Sequence, residues 1–308
     1  MLTGEHISDY LALNFRQLYF ADIDLNRFLA GYFKQDFDYS ACLDELVHNP
    51  DPVLISVKSI TFPVFYHHSK ESKIKLSGLT LEEIAVNAFL LLTGWQEKVL
   101  SKRDQYERFP FSESLQFKFS FQLVPVVNFL FEEICRRIND SGHSCTAGRF
   151  SEMGSNIIFS HDIDRIYSGW YEGTGNLLRD PGFSKLSRWT RMSWAKFVKN
   201  EDDYQAGFNR LLSLLKKWNI KSIFFFLANK SDYDADYQLA DRFLKDLIPK
   251  LIHDGHLAGI HMGFETYRSP DKMKAQIARA EAVVPHKIIH NRQHFLKFDM
   301  VCTPDNLS

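Results

Sequence analysis

The sequence predicts an α/β protein of two domains: an N-terminal α/β or α+β domain over residues 1–150, followed over 151–308 by strands alternating with helices. Three observations carry this. Short apolar runs bounded by turn residues recur through the second half, each too brief for a helix. Between them lie segments with apolar residues at helical spacing. The stretch "SGHSCTAGRFSEMGS" is rich in turn formers and marks a boundary. Strand–helix alternation of this kind argues for a parallel sheet or a barrel.

In the first domain, "PVLISVKSITFPVFY" reads as strand. A helix opens at Thr80, whose hydroxyl caps it while Glu83 returns the bond, a capping box ahead of "IAVNAFLLLTGW". Another, "PVVNFLFEEICRRIND", starts on a tolerated proline and stops near Ser141–Gly142. In the second domain the expected strands are Asn156–Ser160, Lys221–Ala228, Leu257–His261 and Lys287–Arg292. The run Ile157, Ile158, Phe159 in "NIIFSHDIDR" reads as core-bound. Helices are expected in "DDYQAGFNRLLSLLKKW", with Tyr204, Phe208, Leu211, Leu212, Leu215 and Trp218 on one face, and in "SPDKMKAQIARAEAVV", with Ser269 as cap and Pro270 in the first turn. Residues 165–200, rich in Trp, Tyr and Arg, read as a long loop, either packed or stacking on sugars.

With 37 Lys+Arg against 38 Asp+Glu, no overall field of one sign recruits nucleic acid or an anionic membrane. The N-terminus has no basic-then-apolar signal pattern, no apolar stretch reaches membrane-spanning length, and the four cysteines form no CxxC pair. These point to a cytoplasmic protein in a reducing compartment, without membrane insertion. Oligomeric state is not readable.

The expected strand ends carry unusual residues: His161, Asp162 and Asp164, then Asn229, then His261, then Arg292. In parallel strand–helix folds these ends share a rim, so two carboxylates, an imidazole and a guanidinium converge there. Taken singly, Asp after a strand is commonly a turn former, and a lone His a packing residue. Together, Asp and His suit Zn²⁺ or another first-row divalent ion, and a neighbouring unliganded carboxylate can take a proton from water activated by it. An arginine beside that base keeps it ionised.

The order "HDID", "KSIFFFLA", "GHLAGIH", "NRQHFLKFD" resembles the motif order of the polysaccharide deacetylase superfamily, the NodB-homology domains. The resemblance implies a partial, distorted (β/α) barrel and a metal-dependent hydrolase, Zn²⁺ its expected cofactor, removing N- or O-acetyl groups from carbohydrate. It implies Asp162 as base, Asp164 and His261 as metal ligands, and Arg292 as the group that orients the base. Where the family pattern has a second metal histidine four residues on, this chain has Glu265, either a carboxylate ligand or a solvated loop residue. His256 reads as structural. His294, in place of the family's Arg-x-Pro-aromatic pattern, is an imidazole near the rim and the candidate general acid. The family's remaining motifs are expected beyond Arg292, which makes the chain either a piece of a longer protein or a shortened relative, active or not. The segments "FLLLTGWQEKVLSKRDQYERFP" and "FQLVPVVNFLFEEI" resemble a domain of unknown function that precedes deacetylase-like barrels in bacterial proteins, with surface-polysaccharide synthesis as the implied context. Two other readings stay open: a non-catalytic glycan-binding or scaffolding relative, and a metal-dependent hydrolase of a different bond.

Overall fold

The computed structural model describes residues 1–148, 157–300 and 302–303. The chain is a mixed α/β protein that divides into two compact units, Met1–Asn156 and Ile157–Ser308. The domain boundary expected near residue 150 lies outside the described residues.

The N-terminal unit runs α1 (Gly4–Phe15), β1 (Tyr19–Ala21), α2 (Leu25–Ala30), α3 (Tyr39–His48), β2 (Val53–Val57), β3 (Ile60–Val64), β4 (Lys73–Lys75), α4 (Leu81–Leu92), α5 (Trp95–Val99), α6 (Leu115–Lys118), α7 (Val126–Asp140) and β5 (Cys145–Ala147). The strand-like run folds as the hairpin β2–β3, with β4 added parallel to β2. Helix α4 is apolar on every side because it is the centre of the unit: Ile84, Ala85, Val86 and Ala88 are all fully buried. Its capping box is present as the sequence predicts, Thr80 Oγ1 accepting from Glu83 N at 3.1 Å and Thr80 N donating to Glu83 Oε2 at 2.7 Å. The buried Glu82 is tolerated because the hydroxyls of Tyr39 and Tyr66 donate to its Oε1 at 2.6 and 2.9 Å.

The C-terminal unit runs β6 (Phe159–Ile163), α8 (Gly169–Arg179), α9 (Phe183–Val198), α10 (Asp203–Lys217), β7 (Ser222–Leu227), α11 (Arg242–His253), β8 (Leu257–Met262), α12 (Pro270–Glu281) and β9 (Asn291–Gln293). All four strands are parallel, in the order β6-β7-β8-β9. Each strand is added on the same side of the last, so their C-terminal ends form one continuous rim without a reversal of direction.

Period-two alternation divides the sheet's faces. Phe224 and Phe226 join Phe208, Leu215, Leu244, Ile248 and Ile260 in the core beneath the helices. Phe225 faces the other way, in register with Asp162 on one side and Gly259 on the other. Gly259 is required there: a Cβ would sit 2.8 Å from both the Phe225 ring and the His290 carbonyl oxygen.

Three sequence expectations need correction. Ile157 and Ile158 are 75% and 76% exposed, because the strand begins later, at Phe159, and runs through Asp162 rather than stopping before it. Residues 165–200 are not a loop but the helical hairpin α8–α9, whose small buried contingent, Gly169 and Met192, left little apolar periodicity to read. Trp218 does not share the buried face of Phe208 and Leu215; it caps the C-terminus of α10 and is largely exposed. Helix α11 has no counterpart among the elements expected from sequence. Among the described residues, no helix is long and apolar enough to cross a membrane.

Candidate metal centre

Asp162 and Asp164 are two residues apart on an extended segment and so point to the same face of the sheet. Across the sheet, His261 on β8 is in register with Arg292 on β9, and His294 follows two residues later. The same alternation that pairs the aspartates therefore brings Arg292 and His294 to one side, beside His261.

Both imidazoles have fixed tautomers. His261 Nδ1 donates to the Arg292 carbonyl at 2.9 Å, and His294 Nε2 donates to the Tyr233 carbonyl at 2.8 Å. A carbonyl can only accept, so both protons are assigned by their partners. What remains is a lone pair on His261 Nε2 and another on His294 Nδ1, 3.0 Å apart and facing each other. Asp164 Oδ1 lies 3.6 Å from the first and 3.9 Å from the second, and it is buried with no hydrogen-bond donor. With both rings neutral, three electron pairs converge on one point.

Such a cluster needs a positive charge. Burial lowers the His261 pKa below the ordinary imidazole value, opposed by its bond to the Arg292 carbonyl and by Asp162, so a proton is disfavoured there. A divalent cation fits better. The candidate ligand atoms of Asp164, His261 and His294 all lie within 4.8 Å of one another. Tetrahedral coordination with Zn–N bonds of standard length separates ligands by about 3.3 Å. Octahedral coordination at similar bond length gives about 3.0 Å. The observed separations run from 3.0 Å, the octahedral value, to 3.6 and 3.9 Å, somewhat above the tetrahedral one, so the geometry suits a small divalent ion without specifying which.

Asp162 has a different environment. Its Oδ1 accepts from Arg292 Nη1 at 2.8 Å, and its Oδ2 lies 3.9 Å from His261 Nε2. Arg292 is itself held from two further directions: Nη2 donates to Ser160 Oγ at 2.8 Å, and the guanidinium lies over the Phe225 ring, 4.7 Å from its centroid. The result is a half-exposed carboxylate kept in one orientation beside the three lone pairs.

Loops complete the frame. The backbone N–H groups of Ile166, Tyr167 and Ser168 all donate to the Asp236 carboxylate, at 2.8, 2.9 and 2.7 Å, which pins the segment that follows Asp164. The Tyr237 hydroxyl donates to the Ile163 carbonyl and accepts from Leu227 N. After His294, Phe295 and Leu296 both adopt left-handed backbone angles, φ 57° and 54°. Such conformations cost about 1–2 kcal/mol per residue and persist where the surroundings enforce them. Here the turn keeps His294 inward, with Phe295 edge-on against its ring at 4.6 Å.

Two site assignments from sequence change. Glu265 is exposed and pairs with Lys272 at 2.5 Å, outside the group of side chains that can share an ion. His294, and not Glu265, joins Asp164 and His261 in the group of side chains that could share an ion. With one ring nitrogen committed to Tyr233 and the other turned into the lone-pair cluster, His294 is no longer a candidate general acid in this arrangement. Asn229 is bound by Arg279 away from the cluster. Asp236 and Tyr237 were not foreseen, since no spacing links them to "HDID". A cavity of about 930 Å³ shares Tyr233 and Phe264 with this end of the sheet, and Glu265 and Arg279 also line it. None of Asp162, Asp164, His261, Arg292 or His294 lines that cavity, so this void and the side-chain cluster do not coincide.

Comparison with known proteins adds little chemistry. Residues 30–142, within the N-terminal unit, match a family of unknown function (DUF7033). No curated protein and no solved structure matches the chain.

Proposed function

We propose that the C-terminal unit is a metal-dependent hydrolase of the polysaccharide deacetylase type, removing N- or O-acetyl groups from carbohydrate in bacterial surface-glycan metabolism. The observation that carries the proposal is the buried, donor-less Asp164 Oδ1 facing two imidazole lone pairs whose opposite nitrogens donate to backbone carbonyls. Asp164, His261 and His294 would hold the ion, Zn²⁺ being the expected one. A bound divalent ion supplies Lewis acidity, lowering the pKa of a coordinated water and polarising an acyl carbonyl. Asp162, held by the Arg292 guanidinium, would accept the proton of an attacking water. The acetylated-sugar substrate follows from the order of the motifs and not from the geometry, which serves several acyl and phosphoryl hydrolyses equally.

The test combines metal content with acetate release. Protein purified without added metal should contain near-stoichiometric divalent ion, and an Asp164→Ala, His261→Ala double variant should contain none. Acetylated amino-sugar oligomers should release acetate with the wild type. Asp162→Asn should keep its metal and lose on the order of a hundredfold or more in rate. Metal without acetate release would favour the glycan-binding relative. Absence of metal from both proteins would sink the proposal.

A further inference from the structure

The overall charge balance conceals a local imbalance. Helices α8 and α9 and the residues that join and end them carry Arg179, Lys185, Arg188, Arg191, Lys196 and Lys199 against only Glu172 and Asp180, in a chain whose net charge is −1. Lys185, Arg188 and Lys196 are paired with Asp180, Asp203 and Asp202. Arg179, Arg191 and Lys199 have no ion pair of that kind among the described residues.

The hairpin also has two unlike faces. One is knit inward: Trp170 Nε1 donates to Ser193 Oγ and Trp189 Nε1 to Thr174 Oγ1, both at 2.9 Å, and Met192 packs so closely on Gly173 that a Cβ there would meet its methyl at 2.6 Å. The other face presents Phe183, Leu186, Trp194 and Phe197, a stripe at helical spacing on the side of α9 opposite Met192. Phe183 is 89% exposed, Phe197 70% and Trp194 52%, and Val198 beside them 66%. Arg191 lies on one flank of the stripe and Lys199 Nζ stands 4.5 Å from the centre of the Trp194 ring, whereas Lys185 and Lys196 fall on the Met192 side and pair with Asp180 and Asp202.

A short helix with Trp and Phe on one side and Lys and Arg along its flanks has the composition of an element that lies in the plane of a membrane interface. At 16 residues, α9 is about 24 Å long, shorter than a bilayer's hydrocarbon core, and its flanking charges forbid crossing. Charge complementarity selects the occupant. Two copies of this face would bring like charges together, whereas an anionic lipid surface attracts each cation and accepts the aromatic rings at headgroup depth. We infer that the α8–α9 hairpin docks this unit peripherally on an anionic bilayer surface, Phe183, Trp194 and Phe197 entering the interface and Arg191 and Lys199 meeting lipid phosphates. Asp164 is followed within five residues by the start of α8, so the docked hairpin is rooted at the rim that carries the candidate metal centre.

The experiment is co-sedimentation of the full chain with phosphatidylcholine vesicles, with and without about one-third phosphatidylglycerol, an anionic content that sets up the surface potential invoked here. Binding is expected to the anionic vesicles, weakening as salt is raised. Each cation near such a surface contributes about fivefold, so Arg191→Gln with Lys199→Gln should lower partitioning by about thirtyfold. Phe183→Ser with Phe197→Ser should abolish it. A readout independent of either variant's folding is quenching of wild-type fluorescence by brominated phospholipid, assigned to Trp194 by its loss in Trp194→Phe. No binding to anionic vesicles, or equal binding by wild type and both double variants, overturns the inference. So does a dimer in sedimentation velocity that Phe183→Ser with Phe197→Ser dissolves when the wild type ignores vesicles, an outcome that would assign the face to a second copy.

Discussion

Replacing His294 by alanine separates the candidate ligand set that the structure brings together from the one expected from sequence. The substitution deletes Nδ1, one of three lone pairs converging within 4.8 Å, and leaves His261 and Asp164 in place. Structural zinc sites gain about 10–16 kcal/mol from four ligands, or about 3 kcal/mol each if shared equally, so losing one ligand should weaken metal binding by two orders of magnitude or more. Glu265→Ala is the matched control. Its carboxylate is 73% exposed and held by Lys272, a surface pair worth about 0–1 kcal/mol, so metal affinity should not change. Competition of wild type and both variants against a chromophoric chelator for Zn²⁺ gives the three dissociation constants directly, and circular dichroism confirms that each chain is folded. If Glu265→Ala loses the metal while His294→Ala retains it, the triad is wrong.

Gly259→Ala should destabilise the C-terminal unit by about 1–3 kcal/mol, the usual cost of overpacking, because the new methyl meets the Phe225 ring and the His290 carbonyl on a central strand that cannot back away. An unchanged urea midpoint would refute that steric account. His161 and His256 flank the Phe224 ring, and burial is the leading cause that lowers both pKa values below 6.5. The native state then holds fewer protons than the unfolded one. Stability should therefore be complete above about pH 6.5 and fall as pH drops through the native pKa values, and His256→Asn should flatten the slope in denaturant midpoints measured across that range. A steeper slope, or none in the wild type, would count against the assignment.

The rim was legible in the sequence because it depends on two local rules. Strand–helix alternation gave parallel strands, and alternation within "HDID" put both aspartates on one face. The same rule applied to "NRQH" would have placed Arg292 and His294 together beside His261, but attention to a ligand spacing of four residues pointed to Glu265 instead. Spacing within a loop says little about where a side chain ends up, whereas spacing within a strand fixes its face. The aromatic and basic stretch 165–200 failed differently. Its helices are held by indole-to-hydroxyl bonds and a glycine contact rather than by an apolar stripe turned inward, and its apolar stripe is turned outward. Ile157 and Ile158 show the converse, an apolar run with strand composition that ends up exposed ahead of the strand.

The two aspartates also show why a pair of identical side chains two residues apart need not share a role. Each carboxylate so close to the other requires a counter-charge or a donor. Asp162 has one from within the chain, the Arg292 guanidinium at 2.8 Å. Asp164 faces only lone pairs on its buried oxygen. Were both imidazoles neutral and both carboxylates ionised, the single guanidinium would leave the cluster with one uncompensated negative charge. A neutral sugar hydroxyl or amide could donate a hydrogen bond to Asp164 but would leave that charge, and the facing imidazole lone pairs, unanswered. A divalent cation answers all three at once and leaves room for one anionic co-ligand, such as the hydroxide that hydrolysis requires. On the proposed reading, the division of labour between base and ligand rests on which aspartate Arg292 reaches, and Ser160 and Phe225 hold the guanidinium over the first of them.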